Sequence, residues 1–102
     1  MNVTIETRHM SLPEDIREYT HTKAEKLSKF FDRIKSVEVI LDHEANCCKT
    51  EIIAHINKKP PVVATHSDED LRTSIDKCMD KVSQQVKKLK EILKDHKESD
   101  DR

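Results

Sequence analysis

Residues 71–93 read LRTSIDKCMDKVSQQVKKLKEIL, and this stretch decides the fold because its apolar residues recur every three or four positions. The apolar stripe consists of Leu71, Ile75, Cys78, Met79, Val82, Val86, Leu89 and Leu93. This spacing predicts a long amphipathic α-helix whose apolar side is buried against another layer. The preceding Ser67, Asp68, Glu69 and Asp70 predict the start of the helix, with Ser67 as its cap.

Upstream of this helix the chain changes to the period-two pattern that is typical of half-buried β-strands. We predict strands at residues 2–8, 35–42, 49–56 and 62–65. Ala45-Asn46 predicts the turn between the second and third strands, and residues 57–60 predict the next turn. Pro60-Pro61 favours an edge position for the last strand, because proline cannot donate a hydrogen bond to a neighbouring strand.

A further amphipathic helix is predicted between the first two strands. Ser11, Pro13 and Glu14 have the order of a capping box, with Ser11 as the cap. The helix should reach about residue 32, and its stripe consists of Ile16, Tyr19, Ala24, Leu27, Phe30, Phe31 and Ile34. We therefore predict an α+β fold of two layers in the order β-α-β-β-β-α, with a four-stranded mixed sheet and both helices packed on one face.

Length and composition limit the classes of function that the chain can have. The 102 residues have room for one hydrophobic core, so we expect one domain over residues 1–97 and a short polar tail at 98–102. Glycine is absent, which excludes phosphate-binding loops of the P-loop and dinucleotide classes. The three aromatic residues all lie in the first helical segment, so the strands offer no platform for stacking bases.

Membrane, metal and catalytic roles find little support. No apolar run approaches the roughly 18–20 residues that cross a bilayer, so we expect a cytoplasmic protein with no membrane partner and with free thiols. His43, Cys47 and Cys48 lie close in sequence, but adjacent cysteines are poor zinc ligands, so we expect no metal site. With no glycine for an oxyanion loop, we expect no catalysis, no cofactor and no small-molecule substrate.

Positive charge is concentrated in two helical windows, residues 23–35 and 81–97. These windows hold 11 of the 19 basic residues but only 4 of the 20 acidic ones, so they carry +7 while the remainder carries −8. The net charge of −1 therefore hides a dipolar molecule. Clustered cations on a rigid face favour a polyanion, because binding releases the condensed counterions of that polyanion.

The candidate binding residues are Lys23, Lys26, Lys29, Lys77, Lys81, Lys87, Lys88 and Lys90. At about 100° per residue, Lys77, Lys81 and Lys88 share one flank of the second helix, whereas Lys87 and Lys90 fall on the other flank or beyond it. Lys26 and Lys29 share a flank of the first helix, and Lys23 falls within its apolar stripe. If the flanks adjoin, Lys23 and Lys26 form a single positive strip with Lys77, Lys81 and Lys88. The alternative is a merely solubilising surface with i,i+4 pairs such as Lys87 with Glu91 and Arg72 with Asp76.

Two separated segments resemble the short ribosome hibernation-promoting factors, also called ribosome-associated translation inhibitors. The first runs from Pro13-Glu14-Asp15-Ile16 through Lys23, Lys26-Leu27 and Phe30-Phe31-Asp32-Arg33-Ile34 to Val37-Glu38-Val39-Ile40-Leu41. The second comprises Asp68-Glu69-Asp70-Leu71, Ser74-Ile75-Asp76, Asp80-Lys81-Val82 and Gln85-Val86-Lys87-Lys88. The resemblance spans essentially the whole chain.

The resemblance implies a non-catalytic factor that binds the 30S subunit and the 70S ribosome through 16S rRNA. It implies binding in the mRNA and tRNA channel, inhibition of translation in stationary phase or stress and, in some members, pairing of 70S ribosomes. Lys23, Lys26, Lys81, Lys87 and Lys88 match the rRNA-facing lysines of the family, and helical geometry adds Lys29, Lys77 and Lys90. We expect the free protein to be monomeric, without the dimerisation domain of the long form.

Three positions depart from the family pattern. Arg72 stands where an aromatic residue is common, Gln84 stands where many members have arginine, and Thr7-Arg8-His9 lacks a frequent glycine before the arginine. The order from Ser11 onward also leaves open a generic double-stranded RNA-binding module, since that module has an α-β-β-β-α order. Such a module would carry its basic cluster at the start of the last helix, where this chain has acidic residues.

Overall fold

The structure is a computed structural model that describes residues 2–100, with side chains described as far as Leu93. Its elements are β1 (Asn2–Arg8), α1 (Glu14–Phe30), β2 (Ile34–Glu44), β3 (Cys47–Ile56), β4 (Val62–Asp68) and α2 (Leu71–Asp100). The predicted element order is confirmed. Helix α2 continues past residue 97, and the division into a domain and a tail at that point remains a prediction.

The sheet is mixed and its strands lie in chain order, β1-β2-β3-β4. Strand β1 pairs parallel with β2, and the two later pairings are antiparallel. A parallel neighbour requires a crossover, which α1 supplies, whereas β2 and β3 are joined by the predicted two-residue turn at Ala45-Asn46. Ala45 adopts a φ of 51°, which is a left-handed conformation. Glycine usually occupies this conformation, but the chain has no glycine, so an alanine stands there.

One hydrophobic core lies between the sheet and the two helices, which both cover the same face. The inward residues of the sheet are Val37, Val39, Leu41, Ile52, Ala54, Ile56 and Ala64. They pack against Ala24 and Leu27 of α1 and against Ile75, Cys78, Met79, Val82 and Val86 of α2. The predicted two-layer α+β fold is therefore confirmed, with both helices on one face.

Both predicted helix caps are wrong. Helix α1 begins after Pro13, whose carbonyl accepts the N–H groups of Ile16 and Arg17, and no side chain caps it. Leu12 precedes a proline, and a residue in that position disfavours the helical conformation, so the helix does not begin directly after Ser11. At α2, Ser67 is still part of β4, opposite Lys49 of β3.

The start of α2 is instead capped by Asp70. Its carboxylate accepts the Thr73 N–H at 2.9 Å and the Thr73 hydroxyl at 2.7 Å. These two bonds favour the ionised carboxylate and hold the pKa of Asp70 below its usual value. An acid at this position also suits the positive end of the helix dipole.

A buried polar contact fixes the first turn of α2 on the sheet. The Ser74 hydroxyl lies 2.8 Å from the Thr50 hydroxyl and donates to the carbonyls of Cys48 and His66, at 2.9 and 3.1 Å. Ser74 and Thr50 are both fully buried. One residue of α2 is thereby tied to both β3 and β4, which sets where the lysines further along α2 lie.

Candidate nucleic-acid interface

A groove runs between the outer sides of α1 and α2 and contains three of the candidate lysines. Its volume is about 420 Å³, and it is lined by Lys23, Lys26, Leu27, Phe30, Met79, Asp80, Ser83, Gln84 and Lys87. Lys26 and Lys87 are exposed, whereas Lys23 is half-buried, as expected for a lysine that emerges from the apolar stripe. We call this depression the interhelical groove.

A second depression lies on the opposite side of α2, beside the edge strand β4. Its volume is about 570 Å³, and it is lined by Val63, Ala64, Thr65, Lys81, Gln84, Gln85 and Lys88. The Lys81 amine donates to the Thr65 carbonyl at 2.9 Å, and the Gln85 amide donates to the Val63 carbonyl at 3.3 Å. These two side chains therefore satisfy carbonyl groups of a strand that has no neighbour on its outer side.

The expected single strip between the helices is wrong in its arrangement. Lys81 and Lys88 face β4 rather than α1, and Lys87 is the α2 lysine that lines the interhelical groove. The reason is that α2 packs over β3 and β4, so the flank of Lys81 and Lys88 meets the sheet edge. The groove also contains an acid, Asp80, beside its three lysines. Gln84 lines both depressions, so the two lysine groups adjoin across the outer ridge of α2.

The remaining three candidate lysines lie outside both depressions. Lys90 donates to the Phe30 carbonyl at 3.0 Å, and its amine lies 4.6 Å from the centre of the Phe30 ring. A cation at that carbonyl complements the negative end of the α1 dipole. Lys29 and Lys77 are exposed and line neither depression.

The departure at Arg72 has a structural explanation. The Arg72 guanidinium lies 4.2 Å from the centre of the Tyr19 ring, and the Lys23 amine lies 5.5 Å from it. The Tyr19 hydroxyl in turn donates to the Asp76 carboxylate. Arg72 and Asp76 therefore both join α2 to Tyr19 of α1, through a cation–π contact and a hydrogen bond. Arg72 therefore supplies a stacking partner at the position where sequence analysis had expected an aromatic residue.

Within the part of the chain whose side chains are described, neighbouring acids do not neutralise the candidate lysines. Among residues 2–93, every ion pair involves an arginine or a histidine, and no lysine amine lies within 4.0 Å of a carboxylate oxygen. In this part of the chain the expected pairs of Lys87 with Glu91 and of Arg72 with Asp76 do not form. The lysines consequently keep their charge available to an external anion.

Charges on the outer face of the sheet are paired instead. The Arg8 guanidinium binds the Glu6 carboxylate at 2.7 Å, and the His9 ring lies 2.9 Å from the Asp42 carboxylate. The Glu6 carboxylate raises the pKa of Arg8, and the hydrogen bond from His9 lowers the pKa of Asp42. Two acids of the sheet face are thus paired with bases, while among residues 2–93 no lysine of the helix face has a carboxylate partner.

Sequence reasoning placed Phe30 in the buried stripe of α1, and this is wrong. Phe30 is 43% exposed and lines the interhelical groove, whereas the adjacent Phe31 is 5% exposed and belongs to the core. Asp80 and Ser83 were also missed as groove residues. Their positions on the helical wheel next to Asp76 are the signal that could have found them.

Two further observations concern the described residues alone. No helix among them is long and apolar enough to cross a membrane. Within the same part of the chain, no three histidine, cysteine or acidic side chains come together in a way that could hold a metal ion.

Comparison with known proteins gives a family match over almost the whole chain. The model of the family described as Sigma 54 modulation protein / S30EA ribosomal protein matches residues 3–94. The ribosome hibernation promoting factor of Escherichia coli K12 is 31% identical over 96 residues, which cover 94% of this chain and 100% of that protein. The ribosome hibernation promoting factor of Azotobacter vinelandii is 35% identical over 91 residues, 89% of this chain and 84% of that protein.

Two solved structures share the fold. A ribosomal subunit interface protein from Coxiella burnetii superposes with a TM-score of 0.80 at 18% identity, covering 88% of this chain and 98% of that one. The N-terminal domain of Thermus thermophilus Protein Y superposes with a TM-score of 0.77 at 26% identity, covering 87% and 99%.

Proposed function

The chain belongs to the Sigma 54 modulation protein / S30EA ribosomal protein family, and on that premise we propose that it silences idle ribosomes by binding 16S rRNA with its helix face. Family and relatives make it a ribosome hibernation factor. The proposed site on the 30S subunit and the 70S ribosome is the channel of the mRNA and the tRNAs, between head and body. A protein lodged there inhibits translation by occupancy, so the mechanism needs no catalytic residue.

The observation that carries this proposal is a set of lysines on the helix face that, among residues 2–93, have no carboxylate within ion-pair distance. Lys23, Lys26 and Lys87 line the interhelical groove, and Lys81 and Lys88 lie across the ridge of α2. Free amines on rigid helices suit phosphate groups, because neutralising each phosphate releases counterions from the RNA. The single acid in the groove, Asp80, leaves a clear excess of positive charge there.

The two lysine groups should contribute differently. The Lys81 amine is already bonded to a β4 carbonyl, so contacting a phosphate requires exchanging or sharing that bond. Among residues 2–93, Lys26 and Lys87 have no hydrogen bond to give up. We therefore expect the groove lysines to contribute more to affinity per residue than Lys81.

Sedimentation with purified 30S subunits at several salt concentrations tests the proposal. Lys26→Gln with Lys87→Gln should weaken binding and reduce the slope of log affinity against log salt by about 2, roughly one for each phosphate that is no longer neutralised. Lys35→Gln with Lys49→Gln is the matched control, because these exposed lysines lie on strands. Equal affinities and slopes for the two double variants would contradict the proposed face.

The same gradients address the alternative and the assembly state. A generic duplex-RNA binder should bind a short RNA duplex as tightly as it binds the 30S subunit, whereas a ribosome-specific factor should strongly prefer the subunit. We propose that the free protein is a monomer, and sedimentation of the protein without ribosomes measures this. Pairing of 70S ribosomes would appear as a faster-sedimenting particle when the protein is added.

A further inference from the structure

The interhelical groove combines an apolar floor with a charged rim, a composition that phosphate binding alone does not require. Phe30 supplies the exposed apolar surface, the core residues Leu27 and Met79 close the bottom of the groove, and Lys23, Lys26 and Lys87 supply the cations. Neutralising a phosphate is an electrostatic effect that releases counterions, and it needs no aromatic surface beside the lysine. Apolar surface exposed beside lysines therefore calls for a ligand that is apolar as well as anionic.

Phe30 is the unusual residue of this floor. It is 43% exposed, although it lies one position before the buried Phe31 at the end of α1. The Lys90 amine covers one region of its ring at 4.6 Å. Exposing an aromatic ring costs hydrophobic free energy, and the cost is recovered when a flat partner packs against it.

From these features we propose that the interhelical groove receives one unstacked nucleobase of the RNA, with its flanking phosphates on Lys26 and Lys87. A groove of about 420 Å³ lies within the range of roughly 300–1,000 Å³ that small organic ligands occupy. The base packs against the exposed ring of Phe30. This inference rests on the proposed function and specifies the feature of rRNA that the helix face recognises.

Polar groups at the groove wall suit the edge of a base. Asp80 accepts hydrogen bonds, Ser83 and Gln84 both donate and accept, and all three line the same groove. RNA recognition commonly uses unstacked bases that pack on apolar or aromatic side chains and present their edges to polar groups. This role explains why an acid stands in a positive groove, since a carboxylate accepts from the amino or imino group of a base.

Two variants separate base binding from charge. Phe30→Ala removes the aromatic surface and keeps every charge. Ile53→Ala is the control, because Ile53 of β3 alternates with the buried Ile52 and Ala54 and therefore lies on the sheet face that points away from the helices. Phe30→Ala should weaken 30S binding about tenfold, near the lower end of the effect of removing one base–aromatic stacking interaction, with an unchanged salt slope. Phe30→Leu keeps apolar bulk in the groove and should lose less, which guards against a loss that reflects only misfolding.

Chemical probing of 16S rRNA with dimethyl sulfate and kethoxal gives a second readout. At saturating protein, wild type and Ile53→Ala should protect one unpaired base that Phe30→Ala leaves reactive, while other protections remain. The inference is overturned if wild type binds 30S subunits but Phe30→Ala matches Ile53→Ala in affinity and footprint. Failure of wild type to bind 30S subunits overturns the proposed function itself, so the two failures are distinguishable.

Discussion

The buried hydroxyls of Ser74 and Thr50 allow a prediction about the free energy of unfolding, because each hydroxyl has only one proton to donate. Ser74 has one hydroxyl proton, and the carbonyls of Cys48 and His66 at 2.9 and 3.1 Å can only accept it. With the Ser74 proton directed to these carbonyls, the contact of 2.8 Å between the two hydroxyls is a donation from Thr50 to Ser74. Thr50 depends on Ser74 as its acceptor, whereas Ser74 has the carbonyls as well.

This asymmetry sets the expected free energies of unfolding. Ser74→Ala loses the hydrogen bonds of Ser74 and leaves a buried Thr50 hydroxyl without an acceptor, so it should cost about 2–3 kcal/mol. Thr50→Val loses one bond and leaves Ser74 satisfied, so it should cost about 1 kcal/mol. In the double variant no hydroxyl is stranded, so adding Thr50→Val to Ser74→Ala should recover about 1 kcal/mol.

Urea unfolding followed by circular dichroism measures all three variants against wild type. Thermal unfolding can check the same order of stabilities, because a loss of about 1 kcal/mol lowers the melting temperature of a domain near this size by roughly 4–8 °C. The reasoning is refuted if Thr50→Val costs more than Ser74→Ala, or if the double variant is less stable than Ser74→Ala alone. Wild type and variants should unfold with the same m-value, which confirms that the same surface is exposed.

Three further predictions concern other parts of the molecule. Of the three thiols only the exposed Cys47 should react quickly with Ellman's reagent, because Cys48 is buried and Cys78 is buried with a pKa raised to about 11; rapid reaction of more than one thiol would contradict this burial. Asp70→Ala should lower the urea midpoint at pH 7 by removing the α2 cap. Since the pKa of Asp70 lies below its ordinary 3.8 when folded, its stabilisation is complete above that pH and is lost as the pH falls further, so a penalty that persists unchanged at pH 2 would be inconsistent with it. Tyr19→Phe keeps the aromatic ring under the Arg72 guanidinium but loses the hydrogen bond from the Tyr19 hydroxyl to the Asp76 carboxylate. This loss should lower the free energy of unfolding in urea by about 1–2 kcal/mol. An unchanged urea midpoint would show that the hydrogen bond contributes nothing to stability.

The fold was predictable because apolar periodicity reports burial directly. Each strand predicted from alternation is present, and the stripe of α2 is buried from Ile75 to Val86. The caps were not predictable from local sequence, because β4 continues through Ser67 by pairing with β3. A pairing partner distant in sequence thus moved the start of α2 from the predicted cap to Asp70.

The candidate site was predictable in composition but not in arrangement. A helical wheel shows that α2 has two basic flanks, and it cannot say which flank faces α1, since that depends on which strands α2 covers. Because α2 lies over β3 and β4, the flank of Lys81 meets the sheet edge and the flank of Lys87 meets α1. The exposure of Phe30 has the same origin, because the far wall of its groove belongs to α2 and is not visible on the wheel of its own helix.

Pairing on one face and its absence on the other explain how a chain with a net charge of −1 can present a polyanion-binding surface. On the sheet face, Glu6 and Asp42 are held by Arg8 and His9, so their fields are largely cancelled at short range. On the helix face the described lysines have no carboxylate partner within ion-pair distance, so each can neutralise a phosphate. With screening over about 8 Å at physiological salt, an approaching RNA responds to the nearest face rather than to the net charge. The molecule should therefore approach RNA with its helices first, and raising the salt should weaken binding even though the protein as a whole is slightly acidic.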